Sequence, residues 1–227
     1  MPPKPLTSKD AEFLKGYDPG RFAHPSVAVD ICIFSIADGA LTVHLIERKE
    51  PPYAGSFALP GGFVRLDESL DAAARRVLAE KAGLAEVYLE QLYTFGEVDR
   101  DPRTRVITVA YYALIGRRAE ALPPELKAFP VAKLPALAFD HNEVVETAAA
   151  RIRGKLEWTT IAFELMPREF TLTELQRVYE VILERHLAKP AFRRRILASG
   201  VVKETTKMRR GGHRPAILYR FVEGRRV

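Results

Sequence analysis

Residues 61–84 read GGFVRLDESLDAAARRVLAEKAGL, a glycine pair followed by a helix-forming segment, and this stretch decides the fold of the first half of the chain. The pair Gly61-Gly62 predicts a tight turn. The residues after it predict one long helix over 69–82, with Asp67 as a candidate N-cap and Gly83 ending the helix in the left-handed conformation. Residues 77, 80 and 81 share one face of this helix because they are three and four positions apart.

The segments on either side of this helix read as β-strands. Two apolar runs, residues 27–36 and 41–46, flank Asp38-Gly39, and Asp-Gly between apolar runs is typical of a two-residue hairpin. Short strands are also predicted at residues 57–59, 88–95 and 106–115, and a second helix at residues 142–156.

From Trp158 the apolar pattern changes to a helical period. A short helix is predicted over residues 158–165, and a capping box from Thr171 to Glu174 begins a second helix. A third helix is predicted over residues 190–199, closed by Gly200, and two strands follow it. Three helices and a two-stranded ribbon predict a winged helix at residues 156–227, after a first domain at residues 1–155.

The net charge of +6 is unevenly distributed along the chain. Residues 158–227 hold 15 Lys and Arg against 7 Asp and Glu, a charge of +8, whereas residues 1–157 hold 20 against 22, a charge of −2. A basic terminal domain with a strong apolar period is typical of a polyanion-binding protein.

The third helix is the candidate DNA-recognition element. Phe192 and Ile196 would face the core, with Arg194 almost opposite, so that its guanidinium can reach a guanine edge or a phosphate. The alternatives are an RNA or protein partner, or a solvated basic face. The full set of candidate DNA contacts, from this helix and from the loop around Gly211-Gly212, is Lys189, Arg193, Arg194, Arg195, Arg209, Arg210, His213 and Arg214.

The glycine pair and the helix after it resemble the Nudix box. The residues that match are Pro60, Gly61, Gly62, Glu68, Arg76, Glu80, Gly83 and Leu84. The resemblance implies an α/β/α sandwich with a mixed sheet, joined here to a winged helix-turn-helix in an α+β chain. In active Nudix proteins three glutamates on one helix face gather Mg²⁺ beside a diphosphate.

This chain departs from the Nudix pattern at the metal site. The three glutamate positions read Val77, Glu80 and Lys81, so one carboxylate remains of three and a cation stands where the metal would bind. We therefore expect no catalytic residue, no metal site and no hydrolysis. The alternative is that another carboxylate, such as Glu97 or Asp99, substitutes.

A degenerate Nudix domain followed by a winged helix resembles the Nudix-related transcriptional regulators, the NrtR family. The match includes residues 16–19, 100–103, 170–176 and 192–197. It implies a homodimeric repressor of NAD-biosynthesis or salvage genes that binds a palindromic operator and is released by ADP-ribose or a related nucleotide. The competing hypothesis is an ADP-ribose-type pyrophosphatase with an accessory basic domain.

The expected effector site surrounds the glycine turn. ADP-ribose would lie against Gly61 and Gly62 with its diphosphate near Arg76, Glu80 and Lys81. Candidates for further contacts to the base, ribose or phosphates are Arg48, Phe57, Arg103 and Arg105. A solvated or structural ion pair is the alternative role of each arginine. No cofactor is expected besides this effector.

The apolar runs, the start of the chain and the cysteine count indicate the cellular compartment. The apolar runs are too short to cross a membrane, the start of the chain lacks a signal-peptide core, and the single cysteine, Cys32, cannot form an internal disulfide. We expect a cytoplasmic protein. Because each chain has one recognition helix, we also expect a homodimer, with residues 8–14 as one candidate interface.

Overall fold

The structure is a computed structural model that describes residues 5–116, 122–209 and 215–222. Its helices are α1 (Ser8–Gly16), α2 (Leu70–Ala82), α3 (His141–Lys155), α4 (Leu172–Leu183) and α5 (Lys189–Ser199). Its strands are β1 (Ser26–Ala37), β2 (Ala40–Glu47), β3 (Phe57–Ala58), β4 (Gly61–Phe63), β5 (Tyr88–Phe95), β6 (Val106–Leu114), β7 (Leu126–Pro130), β8 (Val202–Arg209) and β9 (Ala216–Phe221). Short 3₁₀ segments lie at Pro19–Arg21, Val131–Lys133 and Ile161–Leu165.

Seven strands form one mixed sheet, of which the sequence predicts five, and a mixed sheet is what the Nudix resemblance implies. Its main path runs β3-β2-β1-β6-β5, while β4 pairs with β1 and β7 pairs with β2. The central pair, β1 and β6, is parallel from Ser26↔Val106 to Phe34↔Leu114, and the other pairs are antiparallel. The hairpin between β1 and β2 turns at Asp38 and Gly39, which both have positive φ, as an Asp-Gly hairpin requires.

Helices cover both faces of this sheet because alternate side chains of β1 point to opposite sides. Ile31 and Ile33 pack in one buried cluster with Leu78 of α2. Cys32 and Phe34 pack in the other with α3. The predicted α/β/α sandwich is confirmed, and Cys32 is a fully buried core thiol.

The core on the α3 side continues into the second half of the chain. It includes Leu175 and Tyr179 of α4 and Ile196 of α5. Near the end of α3, the Arg153 guanidinium donates to the carbonyl of Ile182 at 2.8 Å and forms an ion pair with Glu184 at the C-cap of α4. The 3₁₀ segment at Ile161–Leu165, α4, α5 and the β8–β9 ribbon form the predicted winged helix.

Three local predictions were wrong. The N-cap of α2 is Ser69, whose hydroxyl accepts from the Ala72 amide, because Asp67 lies too far before the first turn to cap it. Gly61 and Gly62 lie in strand β4, because β1 offers them an antiparallel partner. The helix expected over 158–165 is reduced to the 3₁₀ segment at Ile161–Leu165.

Other helix predictions were confirmed within a residue or two. Gly83 and Gly200 end α2 and α5 with φ of 65° and 66°, and the Thr171–Glu174 capping box begins α4. Sequence reasoning did not assign α1, β4 or β7. None of the described helices combines the length and the apolar character needed to cross a membrane.

Candidate functional site

Close neighbours crowd both box glycines, which do not form the predicted turn. A Cβ on Gly61 would lie 2.1 Å from Oδ1 of Asp30 and 3.0 Å from the carbonyl oxygen of Val29. A Cβ on Gly62 would lie 3.1 Å from the side chain of Val77. Strand β4 therefore sits directly against β1 on one side and the buried face of α2 on the other, which fixes the backbone of the candidate site.

Arg76 is the centre of a hydrogen-bonded latch between α2 and β4. Its guanidinium donates to both Glu68 oxygens at 2.6 and 2.9 Å, to Glu80 at 3.2 Å and to the Phe63 carbonyl at 3.0 Å. These bonds from Arg76, with one from the Arg65 amide, lower the pKa of Glu68 to about 2. The Arg76 guanidinium, which the sequence predicts to lie near a diphosphate, is therefore already hydrogen-bonded within the protein.

Positions 77, 80 and 81, which carry glutamates in active Nudix proteins, differ here in burial and in bonding partners. Val77 is 1% exposed and packs in the core beneath Gly62. Glu80 is exposed and paired with Arg76 and, at 3.5 Å, with Arg65. Lys81 is exposed, as are Glu97 and Asp99. Among the described residues, no three metal-ligating side chains converge.

A cluster of arginines and aromatic rings lies beside β4. The Arg48 guanidinium lies 4.8 Å from the ring centroid of Phe139, and Arg103 lies 5.7 Å from the rings of both Phe139 and Phe63. Tyr53 contacts Phe139 edge-on, with centroids 5.1 Å apart. The structure thus brings together Arg48, Arg103 and the glycine strand, as predicted, and adds Tyr53, Phe63 and Phe139, which sequence reasoning missed.

Below this cluster lies a buried polar network. Arg100 donates to both oxygens of Asp140, at 2.6 and 2.8 Å, and lies 3.6 Å from Asp30. His141 accepts the Leu59 amide at Nδ1. Burial lowers the pKa of His141, so the ring is neutral near pH 7 and can accept this bond. The network ties the glycine strand to the start of α3.

Two predicted ligand residues lie outside the cluster. The ring of Phe57 packs edge-on against Phe129, with the ring centroids 4.7 Å apart. Arg105 donates to the Glu97 carbonyl at 2.7 Å.

In the second half of the chain, α5 presents a basic face to solvent. Phe192 and Ile196 are buried, as predicted, and Arg194 is exposed with no hydrogen bond, ion pair or ring contact in the described part of the chain. Lys189 is likewise exposed at the start of the helix. The α5 surface therefore leaves cations available to an external polyanion.

The flanking arginines of this region are partly engaged. Arg193 donates to the hydroxyl of Thr173 at 3.3 Å, and Arg195 lies over the rings of Tyr179 and Phe192. Arg209 was expected in the loop, but it is the last residue of β8 and forms an ion pair with Glu174. The predicted contacts Arg210, His213 and Arg214 lie outside the described residues.

Comparison with known proteins explains the combination of these two regions. The profile of the NUDIX domain matches residues 24–151, and that of the NrtR DNA-binding winged helix domain matches residues 162–221. An ADP-ribose-responsive transcriptional repressor of Acinetobacter baylyi is 43% identical over 222 residues, covering 94% of this chain and 89% of the relative. The chain belongs to the NrtR family.

Solved NrtR structures share its architecture. Shewanella oneidensis NrtR in complex with a 27-mer DNA is 35% identical, with a TM-score of 0.78 over 86% of this chain and 93% of that chain. The NUDIX domain of the same protein in complex with ADP-ribose is 38% identical, with a TM-score of 0.56 over 65% of this chain and 99% of that domain. The NrtR winged helix match contains α4, α5 and the ribbon, and the NUDIX match contains the latch and the arginine–aromatic cluster.

Proposed function

We propose that this NrtR-family chain is a transcriptional repressor that binds operator DNA through α5 and the β8–β9 ribbon and is released by ADP-ribose or a related nucleotide. The single observation that supports DNA binding is the exposed guanidinium of Arg194, which bonds to no described residue and lies opposite the buried Phe192–Ile196 face. The resemblance to NrtR regulators suggests genes of NAD biosynthesis or salvage as targets and the cytoplasm as the setting.

The Nudix half is proposed to bind its nucleotide without hydrolysing it. Val77 is buried where a metal-binding glutamate would be exposed, Glu80 is held by two arginines, and Lys81 adds a positive charge. We propose Gly61, Gly62, Glu80 and Lys81 as the wall of the site, with Arg48, Arg76, Arg103 and Arg105 around it.

The decisive experiment is fluorescence anisotropy of the full chain on the 27-mer duplex bound by the Shewanella relative, titrated with ADP-ribose. We expect tight binding that ADP-ribose weakens at least about tenfold, a coupling typical of allosteric ligands. A scrambled duplex of the same length is the control. Binding that does not respond to ADP-ribose or to related nucleotides would refute the effector part.

The pyrophosphatase hypothesis has its own test. Release of AMP from ADP-ribose in the presence of Mg²⁺ is compared between the unaltered chain and a Val77→Glu, Lys81→Glu double variant. We expect activity, if any, only in the variant that restores the carboxylates. Turnover by the unaltered chain together with no affinity for any duplex would support the enzyme instead.

A second copy of the chain is the proposed partner in solution. The first described segment exposes large apolar side chains, Leu6, Phe13, Leu14, Tyr17 and Phe22, and α1 buries none of its residues against its own chain. Exposed apolar groups of this density mark an interaction surface. Sedimentation should show a dimer that Phe13→Asp weakens, and a monomer both free and on DNA would contradict the proposal.

A further inference from the structure

Two aromatic residues from distant parts of the chain adopt an uncommon backbone conformation and touch each other. Tyr53 and Phe139 have φ of 63° and 56°, in the left-handed region that bulky side chains rarely adopt. Their rings pack edge-on, although Tyr53 remains 46% exposed. Phe139 is half-buried and Tyr53 is exposed, and backbone outliers of this kind concentrate at ligand sites.

Two guanidinium groups, those of Arg48 and Arg103, lie over the ring of Phe139. Each is held in place by hydrogen bonds to other residues. Arg48 donates to the carbonyls of Pro52 at 2.7 Å and Glu50 at 3.3 Å. Arg103 donates to both oxygens of the buried Asp101, at 2.7 and 3.0 Å. Both guanidiniums are therefore held in place before a ligand arrives, which reduces the entropy lost on binding.

The charge of the cluster suits an anion. In the described part of the chain Arg48 donates hydrogen bonds only to neutral carbonyls and to no carboxylate. Arg103 also reaches the ring of Phe63, which is 48% exposed and follows the glycine pair directly. Guanidiniums bind phosphate oxygens in pairs of hydrogen bonds, and exposed aromatic rings stack on bases.

Building on the proposed response to a nucleotide, we infer that Arg48 and Arg103 bind the diphosphate of a nucleoside diphosphate sugar, and that Phe139 is the positioning residue that holds the two guanidiniums beside each other. The diphosphate then lies at the Phe139 ring and not along α2, where Arg76 is already bonded to Glu68 and Glu80.

Calorimetric titration of the full chain with ADP-ribose, at low and at high salt, tests this assignment. Arg48→Gln should weaken binding about tenfold, since it removes hydrogen bonds to a charged group, and should reduce its salt dependence. Phe139→Leu should cause a similar loss although it removes no charge, whereas Phe139→Tyr, which keeps the ring, should bind nearly as the unaltered chain does. Lys133→Gln, an exposed lysine after β7, is the charge-matched control and should stay within twofold.

Two results would overturn the inference while leaving the proposed function intact. In the first, Arg48→Gln binds as the unaltered chain does and Lys81→Gln binds worse, which places the diphosphate along α2. In the second, Phe139→Leu and Phe139→Tyr lose affinity equally, which makes the ring a space-filling group. Failure of the unaltered chain to bind ADP-ribose or any related nucleotide would overturn the proposed function as well.

Discussion

The Nudix half and α5 differ in whether their cationic side chains bond to carboxylates of the same chain. Arg76, Arg100 and Arg103 each donate two bonds to one carboxylate within the chain. On α5, Arg194 and Lys189 have no such partner among the described residues. Arg76 and Arg100 therefore join parts of the Nudix half to one another, whereas the side chains of Arg194 and Lys189 are exposed and available to an external anion. The net charge differs in the same way, at −2 for residues 1–157 and +8 for residues 158–227.

Arg100 should give the largest effect, because it is the most buried of the satisfied arginines. Its side chain is 4% exposed, and its removal in Arg100→Met leaves Asp140 and Asp30 without their cation. We expect the free energy of unfolding to fall by about 3–5 kcal/mol. Urea denaturation measures this change. Arg65→Met, at an exposed pair with Glu80, is the control and should cost no more than about 0.5 kcal/mol.

A substitution of Arg194 tests the role of the exposed cations of α5. Arg194→Ala should leave the stability unchanged but cost about 1–3 kcal/mol of operator affinity and relax the sequence preference at one position of each half-site. Anisotropy on duplexes substituted base by base measures both effects. Arg75→Ala, an exposed arginine on α2, removes the same charge and should change little. A loss that is equal on operator and scrambled duplexes would show that Arg194 contacts phosphate only.

Arg209 is an intermediate case, because its ion pair with Glu174 would compete with a DNA phosphate for the same guanidinium. Arg209→Ala should weaken binding to operator and scrambled duplexes alike. It should flatten the slope of log affinity against log salt by about 0.9 if one phosphate contact is lost. A salt series measures the slope, and an unchanged slope would leave Arg209 as a purely internal partner of α4.

The smallest effect concerns the pH dependence of the Arg76 latch. The pKa of Glu68 is lowered from 4.5 to about 2, so the contribution of this group to stability is present above pH 4.5 and is lost as the pH falls toward 2. The melting temperature of the unaltered chain should exceed that of Glu68→Gln by up to about 2–4 °C above pH 5. The gap should narrow across that window, and a gap that is independent of pH would contradict the assignment.

Local signals made much of the fold predictable. The Asp38-Gly39 hairpin, the capping box at Thr171 and the terminal glycines Gly83 and Gly200 act within a few residues, so the sequence displays them directly. Strand β4 was missed because two glycines read as a turn, and only the adjacent β1 makes them a strand. The basic helix was predictable for the same reason as the hairpin, since its charge and apolar spacing are local.

The cluster of arginines and aromatic rings beside β4 was predictable only in part. Arg48 and Arg103 stood out by charge and by their place near the box. The bonds that define their roles join residues far apart in sequence, such as Arg100 and Asp140, or depend on a backbone angle, as at Phe139. A hydrogen bond between residues that are 40 positions apart cannot be recognised from the local sequence pattern, and neither can a positive φ at a phenylalanine.

Helix α3 is bonded near both of its ends, to Arg100 through Asp140 and to the end of α4 through Arg153. About 20 Å of helix separate Asp140, which bonds to Arg100, from Arg153, which bonds to the end of α4 just before α5. A tilt of about 5° at the first end displaces the other by about 2 Å, more than a hydrogen bond tolerates. A small tilt of α3 beside the turn that holds Phe139 would therefore be large enough to shift its contact with α4, next to α5.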